Sequence, residues 1–121
     1  MKIVAVVGMA GAGKSEVAAI FNRMDFTIIR FGDITDEEVK KRGLPLNEAN
    51  ERAARESLRG KYGMAAYAEL SRSRIDSALD TADVVVDGLY SWEEYNYLKD
   101  LYHDDFIVIA VWAHLKANGV L

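Results

Sequence analysis

Four short apolar runs divide the chain, and stretches with helical spacing lie between them. The runs cover residues 3–7, 26–31, 84–87 and 106–112. Three of them are continuous and rich in β-branched residues, without the alternation of a half-exposed strand. Such runs are typical of strands covered on both faces of a parallel sheet. We therefore predict four strands.

Between these runs, apolar residues recur every three or four positions, which predicts amphipathic helices. Thr35 with Glu38, and Ser91 with Glu94, have the spacing of capping boxes that start helices, and Asn47 is a candidate N-cap. The fourth helix is predicted to bury a stripe formed by Met64, Ala68, Ile75 and Leu79. The predicted helices cover about residues 14–24, 35–43, 47–59, 64–80 and 91–102.

The alternation of predicted strands and helices indicates right-handed crossovers and an α/β fold with helices on both faces of the sheet. No internal repeat, low-complexity tract or linker divides the chain. A length of 121 residues suits one folding unit. We therefore predict a single domain over residues 1–121.

Composition excludes several classes of function. The absence of cysteine excludes a disulfide scaffold, a thiolate metal site and a thiol nucleophile. The formal net charge of −4 argues against nucleic acid as a partner. No apolar run approaches the roughly 18 residues that a membrane helix needs, so we expect no membrane association and a cytoplasmic location.

One glycine-rich segment matches the phosphate-binding pattern G-x-x-x-x-G-K-[ST], between a predicted strand and a predicted helix. Its backbone N–H groups and the helix dipole are suited to a nucleotide triphosphate. The lysine would reach the β- and γ-phosphates, and the serine would bind Mg²⁺. The segment consists of Gly8, Met9, Ala10, Gly11, Ala12, Gly13, Lys14 and Ser15. ATP and Mg²⁺ are the predicted cofactors.

Asp87 ends the third predicted strand and is followed by Gly88. A carboxylate there, beside the loop strand, would act as a Walker B aspartate and hold Mg²⁺ together with Ser15. The alternative is an Asp-Gly turn that only ends a strand. A GTPase is excluded because neither N-K-x-D nor D-x-x-G occurs. An oligomeric AAA-type motor is expected to need a longer chain.

The sequence resembles P-loop nucleoside monophosphate kinases, and most of all the archaeal adenylate-kinase-related proteins that are often labelled dephospho-CoA kinase-like. The resemblance covers residues 1 to about 112 and rests on the phosphate loop and four further segments. These are residues 31–33 (Phe-Gly-Asp), 58–63 (Leu-Arg-x-x-Tyr-Gly), 67–68 (Tyr-Ala), and 86–88 (Val-Asp-Gly) with Ser91.

The resemblance implies a three-layer P-loop NTPase domain with a parallel sheet in the order 2-3-1-4. It also implies an ATP-dependent kinase acting on a nucleotide or a dephospho-CoA-like acceptor. Gly32 and Asp33 would line the acceptor site, with Asp33 acting in catalysis beside Lys14 and Asp87. Arg59 would meet an acceptor phosphate, although a solvated, ion-paired helix arginine is the alternative. Gly88 and Tyr90 complete the predicted substrate site.

The sequence also departs from the resembled family. Arginines are usual at two positions that here hold Asp36 and Tyr90, and Asp36 would repel a phosphate if it points inward. The arginine-bearing lid and the fifth strand of the family have no counterpart before Leu121. We therefore expect a domain that is C-terminally incomplete relative to its relatives, with a strand surface open to homodimer formation. The alternative to a kinase is an inactive nucleotide-binding module.

Overall fold

A computed structural model describes residues 1–8 and 12–111 of the chain. Strands and helices alternate as predicted, and a single 3₁₀ turn, His103–Asp105, precedes the last strand. The strands are β1 (Ile3–Gly8), β2 (Thr27–Arg30), β3 (Val84–Asp87) and β4 (Phe106–Val111). The helices are α1 (Lys14–Arg23), α2 (Gly32–Lys41), α3 (Glu48–Tyr62), α4 (Ala66–Leu79) and α5 (Trp92–Tyr102). The predicted strand end at Trp112 lies outside the described residues.

The four strands form one parallel sheet in the order β2-β3-β1-β4, which confirms the predicted topology. Asp87 at the end of β3 lies opposite Val6 of β1 on one side and Arg30 of β2 on the other. Because the strands are parallel, the loops that follow β1, β2 and β3 leave the sheet at the same edge. The phosphate loop and the Gly32–Asp33 segment therefore leave the sheet at the same edge, with the end of β3 between them.

Helices cover both faces of the sheet, so the predicted three-layer α/β architecture is confirmed. On one face, a large apolar core includes Tyr67 and Ile75 of α4 and Leu98 of α5, all almost fully buried. On the other face, Ala18 of α1 packs against Val6 and Val85. Residues from β1 and β3 contribute to both cores, which explains why these strands show no polar alternation.

Two of the three predicted N-caps are confirmed. The Asn47 side chain accepts a hydrogen bond from the Asn50 N–H at 2.9 Å and caps α3. Ser91 and Glu94 form the reciprocal capping box of α5. The predicted capping box at Thr35 is wrong, because α2 begins at Gly32 and Thr35 lies inside it. Its hydroxyl is buried and hydrogen-bonded to the Tyr67 hydroxyl at 2.6 Å, so it is not available to cap the helix.

Met64 is not part of the predicted buried stripe, since it is 48% exposed. The chain turns after α3 at Gly63, whose φ of 88° is in the left-handed region, and α4 begins only at Ala66. Ala68 and Ile75, by contrast, are fully buried as predicted. Met64 therefore lies in the turn between α3 and α4.

Apolar side chains of β4 remain partly open to solvent over the residues described. Ile107 is 44% and Val108 is 36% exposed. They lie on opposite faces of the strand, because successive side chains of a strand alternate. Among the helices described, none has both the length and the hydropathy that crossing a bilayer requires.

Candidate functional site

The phosphate loop begins where β1 passes close to β4. A Cβ atom placed on Gly8 would lie 2.7 Å from the carbonyl oxygen of Val111, so this position requires glycine. Gly13, at the other end of the loop, has a φ of 99° and precedes the first turn of α1. Met9, Ala10 and Gly11 lie outside the described residues. The flanking geometry at both ends is that of a glycine-dependent turn joining a strand to a helix.

The N-terminus of α1 directly follows the phosphate loop. Gly13 accepts a hydrogen bond from the Val17 N–H at 3.1 Å, and no side chain among the described residues caps the helix. Uncapped N–H groups at a helix start, with the positive end of the helix dipole, form an anion-binding position. Lys14 and Ser15 are the first two residues of α1, and Ser15 is exposed. The local structure therefore fits the predicted phosphate site.

Tyr90 links this phosphate site to its surroundings. The Lys14 Nζ atom lies 5.5 Å from the centroid of the Tyr90 ring, within cation–π range. The same ring covers Gly88, where an added Cβ would approach the Tyr90 hydroxyl to 2.9 Å. Gly88 thus lies beneath the ring, whereas Tyr90 itself faces both the lysine and a neighbouring cavity.

The cavity has a volume of about 520 Å³ and opens between β2, β3, α2, α3 and the Tyr90 segment. It brings together four of the five residues predicted for substrate binding, with Gly88 as the exception, and it includes Asp87. Met64 lies on its wall. Its lining residues are Arg30, Phe31, Gly32, Asp33, Thr35, Asp36, Glu51, Arg55, Arg59, Met64, Tyr67, Asp87 and Tyr90.

Four charged residues on this wall were not predicted as site residues: Arg30, Asp36, Glu51 and Arg55. Arg30 ends a strand, and nothing in its sequence context marks it. Arg55 belongs to a helical arginine series that is typical of an ion-paired surface, and it does lie 3.3 Å from Glu48. The sequence did offer one indication that Arg55 belongs to the site. It lies four residues before Arg59, and residues four apart share a helix face.

Asp36 belongs to the cavity lining. A hydrogen bond with the Asp36 carboxyl raises the pKa of Glu51 above its ordinary value, with smaller contributions from desolvation and from the negative charges of Asp36 and Glu48. A neighbouring negative charge disfavours the ionised form of Glu51. The α2–α3 end of the cavity is therefore acidic, where the resembled family usually has an arginine.

Arg59 lies at the opposite end of the cavity wall. Its guanidinium carbon is 5.3 Å from the centroid of the Tyr67 ring. Its Nε atom is buried without a hydrogen-bond partner, and no described carboxylate approaches its nitrogen atoms within 4.0 Å. A buried donor without a partner costs free energy unless a ligand supplies one. Arg59 is thus partly exposed and without an ion pair among the described residues, which speaks against the ion-paired alternative, and its role at the acceptor site stays a prediction.

Glu94 holds the backbone at Tyr90 and Ser91 through hydrogen bonds. Its side chain is fully buried, and its Oε1 atom accepts hydrogen bonds from the N–H groups of Tyr90 at 2.9 Å and Ser91 at 3.1 Å. Burial raises the pKa of Glu94 above its ordinary value, although these N–H donors and the positive charge of Arg59 oppose the shift. This carboxyl group therefore holds the backbone that positions Tyr90.

The pH dependence of stability should report this burial. Above pH 4.5 Glu94 ionises in the unfolded chain, while the folded protein retains the proton until the pH passes its raised pKa. Stability should therefore fall as the pH rises through this window, relative to Glu94→Gln. Urea unfolding of both proteins between about pH 4 and pH 8 measures the difference. A difference that stays constant over that range would contradict the prediction.

The donor set at the phosphate site consists of oxygen atoms, which suits Mg²⁺. The Ser15 hydroxyl follows the loop, and the Asp87 carboxylate stands at the end of the strand next to β1. Within residues 1–8 and 12–111, no group of three or more His, Cys, Asp or Glu side chains forms a metal site. A Mg²⁺ ion bound largely through nucleotide phosphates needs only one or two protein ligands, so the site fits nucleotide-associated magnesium.

Comparisons with known proteins agree with this geometry. Residues 7–115 match the family described as AAA domain. A UPF0200 protein of Methanosarcina acetivorans is 38% identical over 118 residues, covering 98% of this chain and 63% of the relative. A UPF0200 protein of Thermococcus kodakarensis is 35% identical over 126 residues, covering 97% of this chain and 68% of the relative.

A third relative, a UPF0200/UPF0201 protein of Archaeoglobus fulgidus, is 35% identical over 98% of this chain but only 37% of its own length. The chain thus spans less than two thirds of some relatives that it matches. We expected an oligomeric AAA-type motor to need a longer chain than this one, and that expectation stays a prediction. The family match and the confirmed fold support a P-loop, kinase-like nucleotide-binding domain, and the chain belongs to the AAA domain family and to the UPF0200 proteins.

Proposed function

We propose that this chain binds ATP with Mg²⁺ and transfers the γ-phosphoryl group to a phosphorylated small molecule held in the cavity. The observation that carries this proposal is the position of Tyr90. Its ring contacts Lys14 at the phosphate loop and also lines the 520 Å³ cavity. The donor and acceptor sites therefore share one wall, as transfer between two bound substrates requires.

On the donor side, the N-terminus of α1 and the Lys14 ammonium group bind the β- and γ-phosphates. Bound with the nucleotide, Mg²⁺ would be held by Ser15 and Asp87 and would neutralise charge on the transferred group. Lys14 leaves the Tyr90 ring to reach the phosphates. The cation–π contact that it gives up is weak beside a charge-assisted bond to phosphate.

On the acceptor side, Arg59 binds the phosphate of the acceptor and directs its reacting oxygen toward the γ-phosphorus. A new P–O bond forms to that oxygen, while the bond between the γ-phosphorus and the bridging oxygen breaks and ADP leaves. If the reacting oxygen belongs to a phosphate, no proton has to move. If it belongs to a hydroxyl group, the Asp33 carboxylate accepts the proton.

The alternative is a nucleotide-binding module without turnover, acting as a sensor or as a dimer subunit. The presence of Asp36 in the cavity lining favours it, because a carboxylate there repels a phosphorylated acceptor. The exposed Ile107 and Val108 side chains of β4 keep self-association as a prediction. A cytoplasmic location and the absence of a nucleic-acid partner likewise stay predictions.

A coupled assay of ADP release with ATP, Mg²⁺ and each of AMP, CMP and dephospho-CoA tests the kinase. We expect release that depends on the acceptor, and we expect Asp33→Asn to lower it most for a hydroxyl acceptor. Asp25→Asn, at an exposed turn after α1, is the matched control and should leave it unchanged. ATP binding by calorimetry without release for any acceptor would reject the kinase in favour of the module.

A further inference from the structure

One face of α3 carries an ordered series of charges along the cavity. Glu51, Arg55 and Arg59 are spaced four residues apart, and all three line the cavity wall. Residues at this spacing share one helix face, and the rise of the helix separates the first from the last by roughly 12 Å along the axis. Along α3 the cavity wall therefore runs from an acidic end at Glu51 to a basic end at Arg59, while Asp33 and Asp87 add carboxylates elsewhere on its lining.

The basic part of this helix face lies beside the segment that carries Tyr90, since the charge of Arg55 acts on Tyr90 itself. The charge of Arg59 acts on Glu94, whose carboxylate binds the N–H of Tyr90. Tyr90 in turn contacts Lys14. Arg59 also has no carboxylate partner among the described residues and a buried Nε without a hydrogen bond. This end is suited to an anionic group placed next to the transferred phosphoryl group.

The acidic end consists of Glu51 from α3 and Asp36 from α2. Neither carboxylate has an ion pair within 4.0 Å among the described residues. Arg55, four residues along the same helix face, pairs with Glu48 at 3.3 Å, and its charge acts on Glu51 without forming an ion pair within 4.0 Å. Carboxyl oxygens accept hydrogen bonds from N–H donors. This end is therefore suited to a group that offers several N–H donors.

We infer that the acceptor is a phosphomonoester whose opposite end presents two or more N–H donors, such as the N1–H and N2–H edge of guanine. Its phosphate binds Arg59, and its donors bind Asp36 and Glu51. This inference rests on the proposed function for the direction of the acceptor in the cavity. It also gives Asp36 a role in binding the acceptor, whereas its negative charge by itself would only repel the acceptor phosphate.

Calorimetric titration with GMP, UMP and ribose 5-phosphate tests the inference. GMP presents two donors on one edge, UMP one, and ribose 5-phosphate has no base. We expect GMP to bind roughly tenfold or more tightly than the other two, since hydrogen bonds to charged groups are the strong ones. Asp36→Asn and Glu51→Gln should each remove most of this preference. Both side chains are partly exposed, so both variants should fold, which circular dichroism checks.

Two further variants make the comparison specific. Arg59→Lys should weaken all three ligands by a similar factor, because it loses the planar fork to the shared phosphate. Arg52→Gln, on the exposed part of α3, should change none of them. Equal affinity for the three ligands, failure of all three to bind, or an unchanged preference in both acidic variants would overturn the inference. A GMP preference without ATP-dependent transfer would reject the proposed kinase and leave this selectivity in place.

Discussion

Replacing Lys14 with alanine should lower ATP-dependent phosphoryl transfer by about 10²–10³-fold, as the loss of one preorganised group that stabilises transition-state charge does in other enzymes. Lys14 is the first residue of α1, and the neighbouring backbone stays intact in the variant. The loss should therefore appear mainly in turnover, together with weaker nucleotide binding. Steady-state ADP release and calorimetric titration with a non-hydrolysable ATP analogue measure the two effects.

Tyr90→Leu is the informative control for this experiment. It removes the ring that lies 5.5 Å from the Lys14 ammonium group but keeps the lysine. Since an exposed cation–π contact contributes about 0.5–1 kcal/mol, nucleotide affinity should rise by only about two- to fivefold. Nucleotide affinity should thus fall in Lys14→Ala and rise in Tyr90→Leu. Full activity of Lys14→Ala would show that the loop does not act on the transferred phosphate.

The sheet and its helices were predictable because the information that specifies them is local. Each β-branched run is continuous in sequence, and the N-caps at Asn47 and Ser91 bond to residues three positions away. The phosphate-loop motif is equally local in sequence, since it occupies eight consecutive residues, although the need for glycine at Gly8 comes from the Val111 carbonyl of β4. These features need no knowledge of which helices pack together.

The features that were missed depend on partners far away in sequence. The Thr35 hydroxyl bonds to Tyr67, 32 residues further along, and a capping pattern cannot anticipate that contact. Asp36 and Glu51 become neighbours only when α2 packs beside α3. The sequence shows that Asp36 stands where the resembled family usually has an arginine, but it does not show that Glu51 lies beside it. The acidic end of the cavity could therefore be identified only from the fold.

Tyr67 is the side chain on which the cavity wall depends most. It is almost fully buried in α4, and its ring is stacked with that of Phe31 at a centroid distance of 6.3 Å. Its hydroxyl is paired with Thr35, and its ring carries the Arg59 guanidinium. One side chain thus connects the core, helix α2 and the cation proposed for the acceptor phosphate.

Tyr67→Ala should lower the free energy of unfolding by about 3–5 kcal/mol, as expected when a buried aromatic ring is removed from a core. Tyr67→Phe should cost about 1–3 kcal/mol, because the buried Thr35 hydroxyl loses its partner while the stacking on Phe31 and Arg59 remains. Urea unfolding monitored by circular dichroism measures both values, with Tyr62→Phe on the exposed end of α3 as the matched control. Acceptor affinity should survive in Tyr67→Phe, since Arg59 keeps its aromatic support. An equal loss of affinity in both Tyr67 variants would mean that the hydroxyl pair, and not the ring, holds Arg59 toward the cavity.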